Sequence, residues 1–234
     1  MAPSPFYEHI YSEIVQLRSS DSGRHFNVHK DLLESKCKVM YSALSKGFLE
    51  TKEGVYTCTD TTHGTLALAV EWMYTGTYTE PVHHVAEAVV GQPPGMEQEV
   101  NPNSLNDLAD ETKSHPIIAH LQLYIFSDLY LMAGLKQTAF QKLTGQLTLM
   151  DKAKNVETQR AVIAMLHLAF SKINPDDELL GWLAHFASWN LLGLLPRPLF
   201  HDLLVKVPAL GSLMMYSLYP AKFTPWSSRK VNRG

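Results

Sequence analysis

Cysteine is nearly missing from this sequence. Cys37 and Cys58 are the only two among 234 residues, too few for a disulfide framework or a four-cysteine zinc site, so a reducing compartment and two structural thiols are expected. An excess of one charge is missing as well. Twenty Lys and Arg against 23 Asp and Glu leave a formal charge of -3, which creates no field that would gather nucleic acid or an anionic membrane. No run approaches the roughly 20 apolar residues that cross a bilayer. The most apolar stretch, around Trp189 to Leu195, is soon interrupted by Pro196 and Pro198. The opening string MAPSPFYEHIYSEI has neither the basic start nor the continuous apolar stretch of a secretory signal. A protein of the cytoplasm or nucleus is expected, with no membrane and no nucleic acid among its partners.

Catalytic strings are missing too. There is no G-x-x-x-x-G-K-[ST] loop, dinucleotide glycine fingerprint, H-E-x-x-H or G-x-S-x-G, so no residue is named as catalytic and no cofactor is expected. Cys58 with Asp60 and His63 has the residue types of a nucleophile and its base, but nothing nearby marks an oxyanion hole, and a structural thiol is the expectation. His83-His84 reads as surface, because adjacent residues on regular structure rarely chelate one ion, and no metal site is expected. The basic residues Arg229, Lys230 and Arg233 are too sparse for a nucleic-acid patch.

What is present is a globular composition, 45% hydrophobic and 18% charged. EIVQL at 13–17, the turn-like SSDSG at 19–23 and HFNV at 25–28 predict a short antiparallel hairpin. Leu32, Leu33, Val39, Met40, Ala43 and Leu44 recur at helical spacing, predicting two short helices that stop near Gly47. A strand is predicted near 54–58. Thr61 or Thr62 can cap a helix that ends at Thr75-Gly76. Between Glu80 and Pro116, five prolines and one lysine with weak periodicity predict a loop or insert. From Ile117 to about Leu149 the pattern predicts a helix pair with a tight connection at Ala133-Gly134. Three further helical stretches follow near 156–170, 177–195 and 198–207, bounded by prolines, and the tail after Pro220 reads as frayed. Trp182, Phe186 and Trp189 fall on one face of the second of these and read as core, with an aromatic binding stripe as the alternative.

Four strings resemble those of BTB/POZ domains, fungal ones above all. They are Val28-His29-Lys30-Asp31-Leu32-Leu33-Glu34-Ser35, Gly47-Phe48-Leu49-Glu50, Glu71-Trp72-Met73-Tyr74-Thr75-Gly76, and Tyr124-Ile125-Phe126-Ser127-Asp128-Leu129-Tyr130 followed by Leu135-Lys136. The resemblance covers about residues 12–149 and leaves the C-terminal third unassigned. It implies an α+β fold, a small mixed sheet flanked by α-helical hairpins. The domain would span 10–149 with an insert at about 80–116, followed by a helical extension at 153–220 and a flexible tail at 221–234.

The function implied is self-association and partner binding rather than catalysis. Glu13 stands where the family has an aspartate near the dimer axis, beside the basic residue matched by Lys30. His29, Lys30, Leu33 and Met40 would join Glu13 at a homodimer interface. Phe48-Leu49-Glu50 resembles the hydrophobic-any-Glu sequence by which some BTB adaptors engage cullin scaffolds of ubiquitin ligases; the alternative for these residues is packing on their own helix pair. Cys37 replaces the serine that usually opens the second helix, and a thiol caps less well than a hydroxyl. A BTB-type transcriptional regulator that recruits corepressors without contacting DNA is the second reading, and a small enzyme with no recognisable motif the third. His29, at the strand-to-helix junction, is expected to be a satisfied structural histidine.

Overall fold

The structure is a computed structural model that describes residues 9, 11–46, 49–80 and 104–218. The chain is α+β, with three strands and twelve helices among the described residues. Strands β1 (Ile14–Ser19) and β2 (His25–His29) form the expected hairpin, with Val15 opposite Val28 and Leu17 opposite Phe26. Strand β3 (Val55–Cys58) runs parallel to β1 on its other side, giving the order β2-β1-β3. Alternation along β1 turns Val15, Leu17 and Ser19 inward, where Val28 and Cys58 meet them.

Helices α1 (Lys30–Lys36) and α2 (Lys38–Ser45) hinge at Cys37, whose thiol makes no cap bond. A short α3 (Leu49–Glu53) leads into β3. Helix α4 (His63–Thr75) begins where the Thr62 hydroxyl accepts a 3.2 Å hydrogen bond from the Thr65 N–H, and ends at Gly76, whose φ of 76° suits the left-handed stop.

Two expectations about the next region change. The insert contains a helix, α5 (Leu105–Thr112), capped by Ser104 and burying Leu105 and Leu108. Eight residues hold too few apolar positions to raise a periodic signal. The pair α6 (Pro116–Leu129) and α7 (Ala133–Met150) does form, but the break lies at 130–132 rather than at Ala133-Gly134. Gly134 is helical; a Cβ there would sit 3.0 Å from the Trp72 indole, so this glycine serves a close approach of helices and not a turn.

The C-terminal part comprises α8 (Val156–Lys172), α9 (Glu178–Trp189), α10 (Leu191–Leu194), α11 (Pro198–Lys206) and α12 (Pro208–Ser217). The stretch expected as one helix over 177–195 breaks at Asn190. Its buried amide oxygen accepts the Ala153 N–H at 2.8 Å while its amide nitrogen donates to the Phe186 carbonyl at 3.0 Å. Helix α6 packs along α7, and α8 touches α5, α6, α9 and α11, so the later helices share one continuous core with the sheet-bearing part. No described helix is long and apolar enough to cross a membrane.

Candidate interaction site

The hairpin register sets the first candidate. Ile14 pairs with His29, so Glu13 and Lys30 are brought together just beyond the paired strands. The Lys30 N–H donates to the Glu13 carbonyl at 2.9 Å, and the ammonium lies 2.8 Å from the Glu13 carboxylate. Glu13 is largely solvated, so this pair contributes no more than about 1 kcal/mol; its effect is to fix position. Tyr11 and Ile14, with 94% and 51% of their surface exposed, flank it and leave an apolar area beside the ion pair. His29 sits behind. Its backbone N–H donates to the Tyr74 hydroxyl at 3.2 Å, and the same hydroxyl lies 2.8 Å from His29 Nδ1.

Leu33 and Met40, the other expected interface residues, offer nothing to a partner. Both are fully buried within the monomer, because the inward stripe of α1 and α2 packs on the sheet and α4. Helical periodicity identifies an apolar face without saying which surface covers it.

Of the Phe48-Leu49-Glu50 string, Phe48 lies outside the described residues, and so does the side chain of Leu49. Glu50 is half-buried on α3, and its carbonyl accepts the Gly54 N–H at 2.9 Å. His83, His84 and the residues after 218 are also outside the described residues.

The Cys58, Asp60 and His63 set does not assemble as a nucleophile. Cys58 is fully buried, and burial pushes its thiol up to about 11, so no thiolate forms near neutrality. The His63 ring instead stacks on Phe26 with ring centroids 4.8 Å apart, and the His63 backbone N–H donates to the Asp21 carboxylate at 3.1 Å. Burial likewise raises the Cys37 thiol, which lies 3.8 Å from the Tyr130 carbonyl. Among the described residues, no group of three or more His, Cys, Asp or Glu could hold a metal ion. In the aromatic stripe, Trp182 stacks on the buried Phe186, as core packing requires. Trp189 is exposed, with the Lys152 ammonium over its ring and its indole N–H donating to Asp151 at 3.1 Å.

Two polar networks have no local sequence signal, because the groups they join lie 40 to 62 residues apart. In the first, Tyr78 and the fully buried His120 meet at 2.9 Å, and His120 Nε2 lies 3.2 Å from Glu80, which also accepts from Lys142 at 2.7 Å. Burial holds His120 below its ordinary value despite the nearby Glu80 carboxylate. The neutral ring then accepts the Tyr78 proton at Nδ1 and donates from Nε2.

In the second network, Asp177 caps α9 by accepting the Leu179 N–H at 3.0 Å. It also accepts the Tyr124 hydroxyl at 2.7 Å and the Lys136 ammonium at 2.8 Å. Burial pushes the Asp177 carboxyl up, but the bonds from Lys136, Tyr124 and Leu179 outweigh it and hold the group below the usual carboxylate range. This network ties α9 to the α6-α7 hairpin. No protein-family model matches the chain, and no curated protein matches it.

Proposed function

We propose that the chain is a protein-interaction module of the BTB/POZ type that pairs with a second copy through the surface around Glu13 and Lys30. The observation that carries this reading is the exposure of Tyr11 and Ile14 beside the fixed ion pair, at the end of the sheet where the central strand β1 begins. The element order supports it: the strings resembling the family lie on or beside β2, α1, α3, α4 and α6, around a three-stranded sheet in which β3 runs parallel to β1. A stable interface needs about 1,000 Å² in total, so neighbouring residues of α1 must join these side chains.

Sedimentation equilibrium tests the reading. The full chain is expected to be at least dimeric at tens of micromolar, and Tyr11→Asp with Ile14→Asp to weaken that assembly without loss of helical circular dichroism. A monomer at those concentrations, or an assembly state unchanged by the two substitutions, sinks it. In the same proposal Phe48, Leu49 and Glu50 contact a cullin scaffold; Phe48→Ala with Glu50→Ala should then abolish capture of purified scaffold by the folded protein.

A further inference from the structure

The turn that ends α6 carries a leucine where the backbone favours glycine. The Met132 N–H donates to the Ser127 carbonyl at 2.8 Å and the Leu131 N–H to the Asp128 carbonyl at 3.2 Å, the paired bonds of a Schellman stop. Leu131 occupies the left-handed position with φ of 54°. A side chain is costly there, and this one gains no burial in return: 79% of Leu131 is exposed. Both costs fall on one residue, which projects from the surface.

Beside it lies a recess of about 370 Å³ between the loop before α4, helix α6 and the end of α8. Ile125, Phe126, Leu129 and Leu168 form its apolar wall, and Leu129, two residues before Leu131, is 55% exposed. Asp60 and Lys172 stand at its margin, both exposed. Among the described residues neither is in an ion pair; Asp60 accepts only a 3.4 Å contact from the Thr59 hydroxyl, whereas Asp128, also at the margin, is paired with Lys136 at 2.6 Å.

One patch therefore offers a projecting apolar side chain, a recess that could receive one, an unpaired carboxylate and an unpaired ammonium. The complement of such a patch is the patch itself, which is the requirement for a twofold interface. We infer that the α6-α7 turn is a second self-association surface, in which Leu131 of each copy enters the other's recess while Asp60 and Lys172 pair across the axis. It is separate from the Glu13 and Lys30 face, so a chain using both would assemble beyond the dimer.

The test is sedimentation equilibrium of the full chain in the Tyr11→Asp, Ile14→Asp background, where the first face is disabled. Residual dimer is expected there. Leu131→Gly should raise its dissociation constant at least about tenfold, while raising the melting temperature because glycine fits the turn; lost assembly then cannot be lost folding. Asp60→Lys and Lys172→Glu should each weaken the dimer, and the two together should restore it. A background protein monomeric at every concentration overturns the inference and leaves the first reading standing. So does indifference to Leu131→Gly, or a double charge reversal no better than the single ones. If the wild-type dimer ignores the Tyr11 and Ile14 changes yet is lost in Leu131→Gly, the first reading fails and this one stands.

Discussion

Replacing Asp177 with alanine should detach α9 from the α6-α7 hairpin. The carboxylate is 8% exposed and accepts three hydrogen bonds: the Leu179 N–H at the helix start, the Tyr124 hydroxyl and the Lys136 ammonium. Loss of the cap costs about 1 kcal/mol. The buried Tyr124 hydroxyl loses its Asp177 acceptor, and a hydrogen bond involving a charged group is worth about 1.5–3 kcal/mol. Lys136 loses less, because it is part-exposed and keeps Asp128 at 2.6 Å. The expected total is about 3 kcal/mol, which for a chain of this size lowers the melting temperature by about 6–12 °C.

Urea denaturation followed by circular dichroism measures the loss, and hydrogen exchange should place it at α9. Lys136→Met combined with Asp177→Ala should cost less than the two changes summed, since both act on one network. The carboxylate's pKa is depressed in the fold, so its contribution is present above about pH 4 and vanishes as pH falls through the folded value. The alanine variant should lack that acid-side decline. A cost below about 1 kcal/mol, or strict additivity with Lys136→Met, would refute the reasoning.

Leu33→Ala should destabilise the protein by about 2–5 kcal/mol in urea, because the side chain is fully buried in the monomer; a variant of unchanged stability that only lost self-association would contradict this placement. His120 is neutral and held below its ordinary value by burial, so the unfolded chain takes up its proton first. Stability should be full above about pH 6.5 and decline below it as that value is crossed. His120→Gln should flatten this decline in urea midpoints compared between neutral and mildly acidic buffer, and an unchanged pH profile would count against the buried Tyr78-His120-Glu80 arrangement.

The hairpin, the paired short helices, the cap at Thr62 and the stop at Gly76 were determined by the sequence itself. Each depends on neighbours within a few residues: alternation of side chains, a hydroxyl reaching the next turn, a glycine free to adopt positive φ. The meeting of Glu13 and Lys30 follows from the same hairpin register. Tertiary structure decided the rest. That Leu33 and Met40 are spent inside the monomer, that Gly134 lies under Trp72, and that Tyr124 and Asp177 join across some fifty residues depend on which surfaces the folded chain brings together. Local pattern records that a face is apolar or a group polar, whereas long-range packing selects its partner.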